Sequence, residues 1–361
     1  MSTGALDENT RVLEALQRLS SSLVDLNDKE SAPTLSHWRT PTSDVDTAYD
    51  MMSQGSHLLN ATSTKFTLVG KIDMEEGSKL SKDILKGCEL VATGALILCN
   101  NDVGCSRSTR HYAKQSARSV VKVCEQLIEC FVSGDWTKAD NAAAIKTGAV
   151  WSSCEQLEKV PKGNRNSMRR DLLTWVMECN ETMGEFQELI DMGVGEEGVD
   201  ESTWDEFMDG ASEQYSALEL PIAQACLALI KCSRGTLNVC IKACECMGGK
   251  IGADQDEELL AFINGLHDSA RAVGEGMTDL GSTMYPPLEL HNFDHEGEHL
   301  TKLVISQYSA LEAVLTLVLD TCHGELNDEV MVLTTKLKMA SKNRYGEAMS
   351  AISQKLQVDL K

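Results

Sequence analysis

Between Pro41 and Pro161 the chain contains no proline, and apolar residues inside that span return at helical spacing. Leu80, Ile84, Cys88, Val91, Ala95 and Leu98 follow an i, i+4, i+8, i+11 rule. Ala113, Ala117, Val120, Val121, Cys124, Leu127, Ile128 and Phe131 follow it again. A proline inside a helix removes a backbone donor and clashes with the preceding turn, so its absence leaves the helical reading unopposed. A third stripe runs Leu300, Val304, Tyr308, Leu311, Leu315, Val318, Cys322, and a fourth Val330, Leu333, Leu337, Ala340, Ala348, Ile352, Leu356. Each covers about five turns or more at 3.6 residues per turn. A stripe of that length has to be buried against other helices. The fold class read from it is all-α, built of long bundle helices.

Helices are expected near 8–26, 43–68, 74–100, 107–132, 138–159, 167–192, 217–247, 255–282, 298–322 and 328–358. Asp73-Met-Glu-Glu76 and Asp254-Gln-Asp-Glu257 read as capping boxes, an acceptor at the N-cap with a carboxylate three residues on. Pro161 and Gly163 break the chain after one helix, and Pro221 suits the first turn of another. The run KFTLVGKI (65–72) has strand-like composition but no evident partner strand. Glycine and acid dominate GVGEEGVDESTWDEFMDGASEQ (193–214), which opposes a packed core. The organisation expected is an N-terminal bundle over 1–193, an acidic mobile linker over 194–214 and a C-terminal bundle over 215–361.

Charge narrows the function classes. The net charge is -22, and from Asp171 to Ile230 there are 15 Asp or Glu and no Lys or Arg. Such a chain is repelled by phosphate backbones, which argues against direct nucleic-acid binding. The 13 cysteines are odd in number, and Cys88, Cys124 and Cys226 sit on apolar helical faces. That is the pattern of reduced thiols, not of a secreted disulfide framework. The start, MSTGALDENTRVLEAL, has neither a basic region nor a long apolar run, so no signal peptide is expected. No membrane-spanning stretch is expected either.

No catalytic constellation stands out. His291, His295 and His299 stand at i, i+4, i+8 within HNFDHEGEH. Two could share a zinc ion on one helix face, but a third in the same row does not close a tetrahedron. Pro286, Pro287 and Gly297 also interrupt a helix there, so the row reads as a solvated polar face. In CSRGTLNVCIKACEC (232–246), Cys240 and Cys244 share a face, yet the chain has no C-x-x-C pair. Buried small hydrophobes on a core helix are the expectation. GGKIG (248–252) is not a phosphate loop, and neither G-x-G-x-x-G nor G-x-S-x-G occurs. The basic run KGNRNSMRR (162–170) reads as a solvated helix start, with contact to an acidic partner as the alternative. No metal, cofactor or catalytic residue is therefore assigned.

One segment in the acidic stretch carries aromatic residues. STWDEFMD (202–209) places Trp204, Phe207 and Met208 among acids, with Ser202 as a helix cap. It reads either as a solvated loop or as a docking segment that folds on a partner. The candidate partner-binding residues are Glu196, Glu197, Asp200, Glu201, Trp204, Asp205, Glu206, Phe207 and Met208.

VWSSCEQLEKVPKGNR (150–165) resembles the V-W-x-x-C-x-Q segment and following proline turn of the cyclin-D-binding protein family. The residues that carry the resemblance are Val150, Trp151, Cys154, Gln156, Leu157, Val160, Pro161, Lys162 and, shifted by one, Asn164. STMYPPLEL (282–290) and PIAQACLALIKCSRGTL (221–237) are similar to two further segments of that family. The resemblance implies two antiparallel helical bundles in the style of vinculin, talin and α-catenin. It implies a non-enzymatic regulator in cytoplasm and nucleus that binds D-type cyclins and helix-loop-helix transcription factors, restraining the cell cycle and transcription. A cytoskeletal or adhesion scaffold of the same fold is the alternative.

Overall fold

The computed structural model describes residues 3–24, 42–70, 72–100, 103–137, 141–195, 214–246, 257–288, 298–321 and 328–359. Among them are ten α-helices: α1 Thr3–Val24, α2 Thr42–Val69, α3 Met74–Cys99, α4 Arg107–Val132, α5 Ala142–Glu158, α6 Asn164–Asp191, α7 Leu220–Cys246, α8 Glu257–Ser282, α9 Glu298–Thr321 and α10 Asp328–Asp359. A 3-10 turn, Asp135–Thr137, follows α4. The all-α reading holds. The strand-like run at 65–72 is mostly helix, with α2 continuing to Val69. Phe66 is fully buried and its ring packs on Phe131 at 4.4 Å, so tertiary packing overrides local β propensity.

The helices form two compact units, Met1–Ser167 with Ala253–Ala261, and Met168–Gly252 with Phe262–Lys361. In the first unit α2 packs on α3 and α5, and α4 packs on the same two, closing a four-helix ring. α1 lies against α3 and α4. Asp73 caps α3, accepting from the amides of Glu75 and Glu76, as the capping-box signature predicts. The α3 and α4 stripes are buried almost throughout, including Cys88 and Cys124. Hydrogen bonding to Cys88 and burial push the Cys124 thiol well up, and burial takes Cys154 up to about 12. These thiols are packing groups at neutral pH.

Glycines set the spacing of α2 and α3. A Cβ on Gly55 would lie 2.6 Å from the Gly87 carbonyl oxygen, and one on Gly94 2.5 Å from the Ala48 carbonyl oxygen. The two backbones approach so closely that no side chain fits between them.

In the second unit α10 packs on α7 and α9, and α7 also meets α9. Leu300–Asp320 of α9 is long and apolar enough to cross a bilayer by length and composition, which the sequence reading did not anticipate. Here Val304, Leu311, Val314, Leu315 and Val318 are buried within the unit. Gln307, in the middle of α9, donates to Ser233 Oγ at 2.8 Å and to the Val273 carbonyl at 3.0 Å, tying α9 to α7 and α8. Trp175 of α6 meets His267 of α8 at 5.9 Å between ring centroids.

The base of α7 is a polar knot. Tyr215 is fully buried and its hydroxyl donates to the Met284 carbonyl at 2.6 Å. Glu219 Oε1 pairs with Lys355 of α10 at 2.6 Å and accepts from the Leu288 amide at 3.0 Å. Its other oxygen accepts from the Ser216 amide at 3.0 Å. Val194 forms an isolated parallel bridge with Tyr215, and the Gly195 amide donates to the Tyr215 carbonyl. The described flanks of the acidic stretch expected to link two bundles thus both belong to the second unit and pair there.

Candidate functional site: the face between α2 and α5

The nine acidic-stretch residues singled out in the sequence, Glu196 through Met208, lie outside the described residues. So do His291 and His295, while His299 falls in the first turn of α9. Of the 232–246 cysteines, Cys232, Cys240 and Cys244 are buried and Cys246 is half-buried on α7. Among the described residues no group of three His, Cys, Asp or Glu converges as a metal site. The basic run is split: Lys162 sits over the Tyr49 ring at 5.7 Å, whereas Arg169 pairs with Glu245 at 3.4 Å.

Most of the segment 150–165 is structural. Val150, Cys154, Leu157 and Val160 are buried. Gly163 has φ 87°, a left-handed conformation that glycine alone takes without strain. The Gly163 amide donates to the Tyr49 hydroxyl at 3.2 Å, so α2 holds the turn between α5 and α6. Asn164 is 2% exposed. Its Oδ1 accepts from the Ser106 amide at 2.7 Å and from Thr109 Oγ1 at 3.1 Å, and its Nδ2 donates to the Gly104 carbonyl at 3.0 Å. One side chain thus satisfies buried backbone groups at the entry to α4. Asn164→Ala is expected to cost about 2–4 kcal/mol, because it strands a buried donor and acceptor. Asn166→Ala removes only an exposed bond to the Lys162 carbonyl, and is expected to cost under about 1 kcal/mol. Urea titration of the two variants checks this.

Trp151 is the departure from that pattern. Ala143, Thr147, Val150, Ser153, Cys154 and Leu157 mark the buried face of α5. Trp151 points off that face and is 48% exposed, its Nε1 donating to Thr64 Oγ1 of α2 at 3.2 Å. Leu68, one turn along α2 from Thr64, is 65% exposed, and Ile145 on α5 is 69% exposed. Meanwhile hydroxyls go inside: Thr147 meets Thr67 at 2.5 Å and Ser153 meets Ser119 at 3.2 Å. α5 therefore mixes its polarity: Thr147 and Ser153 join apolar residues inside, while Ile145 and Trp151 stay outside. Stability alone does not ask for an exposed tryptophan, whereas binding interfaces are enriched in them.

The seam between α2 and α5 ends in a cavity of about 210 Å³ lined by Tyr49, Met52, Ser53, His57, Leu157, Glu158, Val160 and Lys162. Glu158 accepts from Ser56 Oγ at 3.2 Å and faces His57 Nδ1 at 3.7 Å. The Lys162 ammonium has no carboxylate within ion-pair distance among the described residues. Apolar surface at one end of the seam and a mixed polar cavity at the other make a face suited to contact, with no nucleophile and base arranged for chemistry among the described residues.

Residues 51–192, from α2 through α6, match the family described as Grap2 and cyclin-D-interacting, N-terminal. Over that stretch the chain is similar to proteins named for cyclin-D1 binding. Its curated relatives include Cyclin-D1-binding protein 1 homolog of Xenopus laevis, 24% identical over 241 residues, 64% of this chain and 70% of that protein. The homolog of Danio rerio is 24% identical over 215 residues, 58% of this chain and 61% of its own. Cyclin-D1-binding protein 1 of Mus musculus is 25% identical over 195 residues, 50% of this chain and 52% of its own. The chain thus matches only about half to 70% of these relatives' lengths. Trp151, Leu68 and the cavity lining from Met52 onward fall inside the stretch that matches the cyclin-D-binding family.

Trp151 stands out in the sequence only within the segment 150–165, because α5 has almost no amphipathic pattern to set it apart. Nothing in the sequence marks the cavity, which joins residues about 110 positions apart, such as Tyr49 and Lys162.

Proposed function

We propose that this chain is a regulatory binding protein that captures a D-type cyclin, acting by association and not by catalysis. The observation that carries the reading is the cyclin-D-interacting family match across α2 to α6, the stretch that holds the outward Trp151. Helix-loop-helix transcription factors are proposed as a second class of partner, with restraint of proliferation and transcription as the outcome and cytoplasm and nucleus as the compartments. The acidic stretch, including Glu196, Glu197, Asp200, Glu201, Trp204, Asp205, Glu206, Phe207 and Met208, is proposed to attract a basic partner surface. Its flanks meet at Val194 and Tyr215, and a concentrated field of one sign raises association rates.

Deleting residues 196–209 is expected to weaken binding to purified cyclin D1 about tenfold and to flatten its salt dependence. Unchanged affinity and salt slope remove the acidic stretch from the site. A scaffold of the adhesion type, the alternative on this fold, predicts cosedimentation with actin filaments instead.

A further inference from the structure

Of the four outer seams of the first unit's four-helix ring, α3–α4 and α2–α5 lie opposite each other. The α3–α4 seam carries α1. Across the ring, the α2–α5 seam leaves Trp151 and Leu68 exposed. From Tyr49 to Leu68 α2 runs about 28 Å at 1.5 Å per residue, room for about five turns of another helix. Along that line the chemistry is ordered. Leu68, Thr64, Trp151 and the small Gly148 come first, then His57 with Glu158, then the cavity under Lys162. Gly148 has no neighbour within 4 Å of where a Cβ would stand, which keeps the seam open beside the tryptophan.

We propose that the α2–α5 seam seats one amphipathic helix of the partner, an apolar side chain against Trp151 and Leu68 and an aspartate or glutamate against Lys162. The inference rests on the cyclin-binding reading and deepens it by naming the surface and the chemistry of its occupant. The occupant is a helix because a helix, α1, already fills the opposite α3–α4 seam of the same ring. It is apolar at one end because Trp151 is an aromatic anchor at a half-open position. Its acid falls at the other end because Lys162 is a cation with no ion pair there among the described residues, while Glu158 already faces Ser56 and His57. Ser53 lines the same cavity and offers a hydroxyl to a carboxylate.

The test is binding of the full chain to purified cyclin D1, comparing wild type with Trp151→Ala, Leu68→Glu and Lys162→Glu. All three positions are on the surface, so the variants are expected to fold with wild-type circular dichroism spectra, Trp151→Ala melting a little lower for loss of its bond to Thr64. Trp151→Ala and Leu68→Glu are expected to weaken binding at least about tenfold. Lys162→Glu is expected to weaken it about three- to tenfold, an effect that shrinks at high salt. Wild-type binding that all three variants retain overturns the seam and leaves the cyclin reading standing. Absence of binding by wild type overturns both. Self-association of the chain that Trp151→Ala abolishes, with cyclin binding intact, assigns the seam to a second copy and also overturns the proposal.

Discussion

Gly94→Val is expected to destabilise the protein by at least about 3 kcal/mol, and Gly94→Ala by less but with the same sign. In an ordinary helix interior the alanine change would stabilise by about 1 kcal/mol, since glycine loses more chain entropy on folding. At Gly94 a Cβ would stand 2.5 Å from the Ala48 carbonyl oxygen and 2.6 Å from Met52 Cγ. The first of these is backbone, so α2 and α3 would have to separate and Val91, Ala95 and Leu98 would lose packing. Gly184 and Gly346 are the controls. They lie inside α6 and α10 with nothing within 4 Å of an added Cβ, and Gly→Ala at either is expected to stabilise by about 0.5–1 kcal/mol. Denaturant titration reads the opposite signs directly. A stabilising Gly94→Ala would contradict the close α2–α3 contact.

Glu219→Ala is expected to cost about 3–5 kcal/mol, because it leaves the nearly buried Lys355 ammonium without its carboxylate. The Leu288 and Ser216 amides lose their acceptor in the same change. Replacing both charges, as in Glu219→Leu with Lys355→Met, is expected to cost less than the two single changes added together. The knot also has a pH signature. Burial alone would raise the Glu219 carboxyl, but hydrogen bonds from Lys355 and Ser216 outweigh it and hold it below the ordinary 4.5. A lowered carboxyl contributes stability that is present above the unfolded value. That contribution is lost as pH falls through the folded one. The stability gap between wild type and Glu219→Gln is therefore expected to narrow as pH falls below about 4.5. A gap unchanged between about pH 6 and pH 3 would contradict the assigned pairing.

The helices were legible in the sequence because they bury continuous apolar stripes, and the α3, α4 and α9 stripes are the ones that the core uses. Asp73 was legible as a cap for the same local reason, an acceptor placed before a helix. What local pattern could not show is how distant segments meet. Val194 and Tyr215 flank an acidic run that reads as a linker, yet they pair, and pairing across a loop leaves no periodic trace. The glycines of α2 and α3 look like weak helix residues until Gly55 and Gly87 are seen to face each other. α5 was the hardest helix to read for function. Its buried Thr147 and Ser153 and its outward Ile145 and Trp151 blur the amphipathic signal, and that blur is what exposes the candidate site.

Titration of the full chain with purified cyclin D1, at low and at physiological salt, tests the proposed cyclin capture. Saturable binding that weakens as salt rises is expected, because a net charge of -22 would draw a partner in partly through its field. No saturable binding at either salt concentration would contradict that capture.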